Sequence, residues 1–133
     1  MLPLDRIPAV KRVGTSTLQV FALEISDDFS SADAENMLGL LEGAYTIRDR
    51  INLLIRIVGL QSFDVSDLSG DTARLLREET SEHVARCAII GESGWASDIA
   101  SLLSPRIEIE TFDSDDEERA WAFVGAVEVA GKA

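Results

Sequence analysis

Apolar residues in this chain gather either into short unbroken runs or into stripes at helical spacing, and from residue 17 onward the two kinds of segment alternate. The most legible stretch is residues 84–127. VARCAII (84–90) is apolar apart from Arg86, the pattern of a strand covered on both faces. Gly91 and Gly94 break it, and Trp95, Ile99, Leu102 and Leu103 then recur at the spacing of an amphipathic helix, which Pro105 stops. Residues 106–112 alternate strictly, with Ile107 and Ile109 on one side and Glu108 and Glu110 on the other, which predicts an edge strand. Ser114 and Glu117 have the spacing of a capping box, and Asp115, Asp116 and Glu118 add negative charge where a helix dipole favours it. Ala120, Trp121, Val124 and Val127 then form one apolar stripe, predicting a final helix that packs on the sheet.

The earlier part of the chain has the same logic with weaker punctuation. Residues 4–13 carry scattered apolar positions, and Pro8 argues against a central strand there. Gly14-Thr15-Ser16 reads as a turn into a strand at 17–26, so the first two segments are expected to form a hairpin whose first member is an edge. A loop at 27–30 leads to a helix from about Ser31, with Ala34, Met37, Leu38, Leu41, Ala44 and Tyr45 at helical spacing. INLLIRIV (51–58) is a second buried strand, followed by a loop at 59–65. Helical periodicity returns over 66–81 through Leu68, Leu75 and Leu76, with Gly70 inside it costing about 1 kcal/mol relative to alanine. Ser66, Ser69, Asp71 and Thr72 compete there for backbone hydrogen bonds, so 59–72 is expected to be the least rigid part.

The order is therefore β-β-α-β-α-β-α-β-α: an α/β fold with a mixed, mostly parallel five-stranded sheet and four helices. The length of 133 residues suits one domain with its own core, residues 1–16 being a partly irregular edge segment. No internal repeat, low-complexity tract or linker interrupts it.

Composition narrows the function classes more than it selects one. A net charge of −12 argues against nucleic acid and against anionic membrane surfaces, since both recruit basic patches. No stretch approaches the roughly 20 apolar residues of a membrane span, and the N-terminus lacks the charged-then-apolar order of a signal peptide. The single Cys87 lies within an apolar run, so no internal disulfide can form and a reducing, cytoplasmic location is expected.

The candidate chemistry is sparse. Gly91-Glu92-Ser93-Gly94-Trp95 sits between strand and helix like a nucleophile elbow, but Trp95 occupies the final glycine position and the only histidine, His83, precedes the serine. Ser93 is better read as a helix cap. His83, between a helix end and a strand start, complements helix carbonyls; one histidine and one cysteine cannot assemble a common zinc site. The acidic run 113–118 lacks the glycine-containing loop of an EF-hand, and neither nucleotide-binding glycine motif occurs. Arg56 interrupts an apolar strand and is expected to meet a carboxylate. No catalytic, cofactor or metal site is expected, and the chain is read as not being an enzyme.

In its residues the chain resembles the SpoIIAA-like family, relatives of STAS (anti-sigma-factor antagonist) domains. VARCAIIGESGWASDIASLLSPRIEIETFDSDDEERAWAFV matches that family's V-A-I-V-G strand, tryptophan-started helix and aromatic-aspartate ending, and VFALEIS followed by a helix fits as well. The resemblance implies a fold related to STAS domains and to CRAL-TRIO lipid-binding proteins, without an established activity. Relatives commonly carry a tryptophan-rich segment after the central strand, where this chain has only Phe63. STAS antagonists carry an Asp-Ser-Ser-Gly phosphorylation motif there; Asp64-Val65-Ser66 lacks the middle serine and the glycine, and Asp67-Leu68-Ser69-Gly70 lies later. The expected function is a regulatory module that docks a protein partner through Phe63, Asp64, Ser66, Leu68 and Ser69, as a monomer or homodimer. The alternative is a carrier or sensor of a small apolar ligand, held between the same helix and the sheet.

Overall fold

In a computed structural model that describes residues 9–129, the chain forms five strands and four helices in the expected order. Strand β1 (Val10–Val13) lies antiparallel on β2 (Val20–Ser30), with Val10 opposite Ile25 and Val13 opposite Ala22. β3 (Ile51–Asp64), β4 (Val84–Ile90) and β5 (Glu108–Phe112) follow parallel to β2 and to one another, so sequence order is also sheet order. The sheet is mixed and mostly parallel, and β1 and β5 are its edges. The part of the irregular edge segment at residues 1–8, including Pro8, lies outside the described residues.

This strand order decides where the helices go. Each of the three crossovers steps the same way across the sheet, and a right-handed βαβ unit then puts every crossover helix on the same face. Helices α1 (Ser31–Ile47), α2 (Gly70–His83) and α3 (Ser93–Ala100) accordingly share one core with Leu23, Ile25, Leu53, Ile55, Cys87 and Ile89. On the opposite face α4 (Glu117–Val124) is the one helix among the described residues, packing through Ala120, Trp121 and Val124 against Ala22, Leu54, Ala88, Ile90 and Phe112. That second layer is small, and Val58 on the same face of β3 stays 48% exposed. No helix among the described residues is long and apolar enough to cross a membrane.

Several boundaries differ from the sequence expectation, each for a local reason. β2 runs on through 27–30 and β3 through 59–64, both expected as loops. The extensions pair with each other, Phe29 opposite Phe63 and Ser30 opposite Asp64, after two register shifts, the first where Asp27 (φ 59°) and Gly59 (φ 65°) both adopt the left-handed region and the second between Leu60 and Ser62. α2 begins at Gly70 rather than at Ser66, so that glycine is the first helical residue and not an interior one.

The capping box expected at Ser114 is absent. Ser114–Asp116 form a single 3₁₀ turn, and Glu117 opens α4 with its side chain committed elsewhere. Gly125, at φ 90°, ends α4 with its N–H and that of Ala126 both donating to the Trp121 carbonyl. Val127 therefore lies outside the helix and is exposed, not part of its stripe. The chain there pairs instead with the turn before β2: Ser16 N–H donates to the Val127 carbonyl at 3.0 Å and Val129 N–H to the Gly14 carbonyl at 3.1 Å.

Candidate partner-docking site

The five residues expected to form the surface fall at the C-terminal end of β3 and in the turn before α2. This end of a parallel sheet is where α/β proteins usually place their binding residues. Two of the five are half-buried and anchor the surface to the core. Phe63 stacks on the fully buried Phe29, ring centroids 5.4 Å apart and 5° from parallel, and Leu68 packs against the main core beside Val65. Asp64, Ser66 and Ser69 are exposed.

The turn is built from short polar links. The Asp64 carboxylate accepts from Ser66 N–H at 3.0 Å, an Asx turn that also holds this carboxyl below its ordinary pKa. Leu68 N–H donates to the Val65 carbonyl at 3.0 Å, which swings Leu68 back toward the core. Ser69 is the N-cap of α2: its hydroxyl oxygen accepts from Thr72 N–H at 3.0 Å and lies 2.9 Å from the Thr72 hydroxyl. Ser66 is thus four residues ahead of the helix, away from the N-terminal dipole that would favour a phosphate. Farther along α2, the buried Thr80 hydroxyl donates to the Leu76 carbonyl at 2.7 Å and accepts from Ser104 N–H at 3.0 Å, tying the helix to the loop before β5.

Where an apolar ligand was expected, Phe63 and Leu68 are half-buried and pack against this chain's own core. A surface groove of about 520 Å³ does run beside α4, bordered by Glu117, Trp121, Ala126, Val127 and Glu128, on the other side of the sheet.

Other expected features change role. Ser93 is the first residue of α3, not its cap; Glu92 holds the cap position, and its side chain makes no capping bond. Cys87 is fully buried, and burial pushes its thiol pKa up, the reverse of what a nucleophile needs. His83 ends α2, as expected, with Nδ1 2.7 Å from the Asp49 carbonyl and its ring stacked on Tyr45 at 4.4 Å.

The polar cluster that sequence reasoning only half found is centred on Arg56. Its Nε donates to Glu24 Oε1 at 3.0 Å, Nη1 to Glu117 Oε2 at 2.6 Å, and Nη1 and Nη2 to the two Glu128 oxygens at 2.8 and 3.0 Å. Glu117 Oε2 also accepts from Trp121 Nε1 at 3.1 Å. One guanidinium thus binds β2, β3, the start of α4 and the C-terminal segment together. The bonds to Glu128 above all raise its pKa, and Glu128 in return is held below the usual carboxylate range. The sequence signal was there: Glu24 and Arg56 are each the lone charge in an apolar run, and parallel pairing sets them opposite one another. Glu117 and Glu128 carried no such signal.

A second cluster lies between α1 and α2. The Tyr45 hydroxyl and Glu79 Oε1 are buried without a hydrogen-bond partner among the described residues. Burial, then Glu79 and Glu42, raise the Tyr45 pKa, and Glu79 is raised by burial and by the neighbouring Glu42.

Comparison with known proteins places this geometry in context. A search of curated proteins finds no significant match. Among solved structures, a protein of Shewanella loihica PV-4, described as an uncharacterised member of the DUF3478 family with a SpoIIAA-like fold, is similar. It superposes with a TM-score of 0.59 at 24% identity, over 90% of this chain and 97% of that one, a likeness of fold. The family model described as SpoIIAA-like matches residues 20–125, from the first residue of β2 to the glycine that ends α4. The chain belongs to the SpoIIAA-like family.

Proposed function

We propose that this protein is a non-enzymatic regulatory module that docks a protein partner through the end of the β2–β3 ribbon and the turn at 65–69. One observation carries the reading: among the described residues, β2 and β3 continue past their other neighbours as a two-stranded ribbon. It rests on the Phe29–Phe63 stack and presents Asp28, Ser62, Asp64, Ser66 and Asp67 outward. A rigid scaffold holding a polar, exposed loop is the usual arrangement of a recognition surface. The absence of an activated nucleophile supports a role without catalysis: Ser93 has no histidine in the order its motif would require, and Cys87 is buried. The STAS-type role implied by the sequence resemblance is here exercised by docking alone. Asp64 and Asp67 flank Ser66 and would repel a phosphate, and no helix starts there to hold one. The packing of Phe63 and Leu68 against this chain's own core favours docking over the CRAL-TRIO-like alternative, a small apolar ligand at that position. The charge of −12 supports a protein partner over nucleic acid or an anionic membrane, and the reduced, buried Cys87 fits a cytoplasmic setting, as monomer or homodimer.

The test is affinity capture with identification of the bound proteins. A Ser66→Arg/Asp67→Arg double variant should lose the specific partner, while Glu118→Arg, on the far side of the sheet, should keep it. Retention of the same partner by both variants would place docking elsewhere.

A further inference from the structure

We infer that the outer edge of β3 between Gly59 and Asp64 accepts an extended, basic segment of another polypeptide as an added strand. This rests on the docking reading above and names the partner's chemistry. β3 is 14 residues long, but β4 pairs with it only as far as Arg56 opposite Ile90. There β4 ends, because the chain turns away at Gly91. That residue sits at φ 152°, and a β-carbon on it would lie 2.9 Å from Ile57 Cβ. From Val58 to Asp64 β3 therefore has β2 on one side and, among the described residues, no paired strand on the other. In a strand, alternate residues direct their N–H and C=O groups to opposite sides, so this edge offers a row of open donors and acceptors. Gly59, Gln61, Ser62 and Asp64 are exposed along it.

Two usual guards against pairing are missing from the edge, since residues 59–64 read GLQSFD, with neither lysine nor proline. One register shift lies at its base and a second between Leu60 and Ser62, and three paired positions follow, Asp28 with Ser62, Phe29 with Phe63 and Ser30 with Asp64. Charge then selects the partner. Asp28, Asp64 and Asp67 surround the ribbon end, and the cations that flank it in sequence are both engaged, Arg56 by Glu24, Glu117 and Glu128 and Arg74 by Asp71 and Glu78. A second copy of this chain would bring aspartates against aspartates, whereas lysine or arginine side chains on an incoming strand would meet them favourably. Backbone pairing supplies the binding and these charges supply the choice, as in other cases of strand addition.

The test uses the full-length protein and three synthetic peptides of about six residues, an ordinary strand length. One alternates lysine and valine, one is the same peptide N-methylated at alternate backbone amides, and one has glutamate for lysine. Amide exchange and NMR shifts should report protection at residues 59–64 with the first peptide. N-methylation should weaken binding by about tenfold or more, as the loss of main-chain hydrogen bonds requires, and the glutamate peptide should not bind. Equal binding of the N-methylated peptide at the same residues overturns strand addition but leaves docking at this surface intact. Binding that protects α4 instead, or no binding, overturns the inference, and the capture experiment then decides separately whether the docking reading survives. Concentration-dependent protection of the same amides without peptide would make a second copy the occupant, contrary to the proposal.

Discussion

At the scale of single residues, two serines exchange the roles their sequence positions imply. Ser93 follows a strand and precedes a helix, yet it is the first helical residue and caps nothing, whereas Ser69 closes the first turn of α2 through Thr72. Ser69→Ala should lower stability by about 1 kcal/mol, and Ser93→Ala should change it by less than about 0.5 kcal/mol. Urea unfolding of the two variants side by side reads the difference directly. Arg56 presents a larger effect. Its side chain is 15% exposed and its three carboxylate partners 24, 32 and 44%. The cluster is therefore intermediate between a surface pair and a buried one, and Arg56→Met should cost on the order of 2 kcal/mol at neutral pH. The pH dependence has a definite sign. Arg56 depresses the folded-state pKa of Glu128, so that carboxylate contributes stability above the ordinary carboxylate range and loses it as pH falls through the depressed value. Thermal melts between neutral pH and about pH 3 should show a steeper acid loss for the wild-type protein than for Arg56→Met.

Between elements, the packing of α1 against α2 contains a group that opposes it. Burial and the adjacent Glu42 raise the pKa of Glu79, so folding favours its protonated form. A raised carboxyl pKa makes stability fall as pH rises through the folded value, the opposite sense to Glu128. Glu79→Gln should therefore raise the melting temperature at pH 7, with the advantage shrinking as the pH is lowered into the carboxylate range. An equal gain at every pH would place its origin outside ionisation. The role of α4 is tested more bluntly. Among the described residues it is the sole helical cover of one sheet face, and burying residues such as Trp121 and Val124 contributes about 1.5–3 kcal/mol each. A chain ending at Asp113 would also lose Glu117 and Glu128 from Arg56. It should show no cooperative thermal transition; a sharp transition near the full-length midpoint would make α4 an appendage.

Across the whole molecule, a charge of −12 spread over 133 residues means that self-repulsion works against the folded state. Added salt screens it, since the Debye length falls from about 10 Å at 0.1 M to about 3 Å at 1 M. The melting temperature should therefore rise with sodium chloride at pH 7, even though salt weakens the Arg56 cluster locally. A falling melting temperature would mean that the four-residue cluster outweighs the global repulsion. The same asymmetry of charge keeps the open strand edge selective, because every copy of the chain carries the same acidic ribbon end.

The sequence by itself determined the order of elements, the parallel sense of β2 to β5, and the helix stripes. Each of these follows from periodicity along a few neighbouring residues and from the handedness of crossovers. It also exposed Arg56 as a charge in need of a partner, because a lone polar position in an apolar run is visible locally. The tertiary structure decided what depends on distant neighbours. GLQSFD has no strand periodicity of its own and becomes one because Asp27–Ser30 lies beside it. Phe63 is an anchor because Phe29 is under it, and Ser66 falls outside α2 because Ser69 reaches Thr72 first. Two of the partners of Arg56, Glu117 and Glu128, come from 61 and 72 positions away and stand in no pattern that marks them, unlike Glu24, the lone charge of its own apolar run. The open edge of β3 is of the same kind: it exists because one strand outlasts its neighbour, a difference in length that only the folded sheet sets.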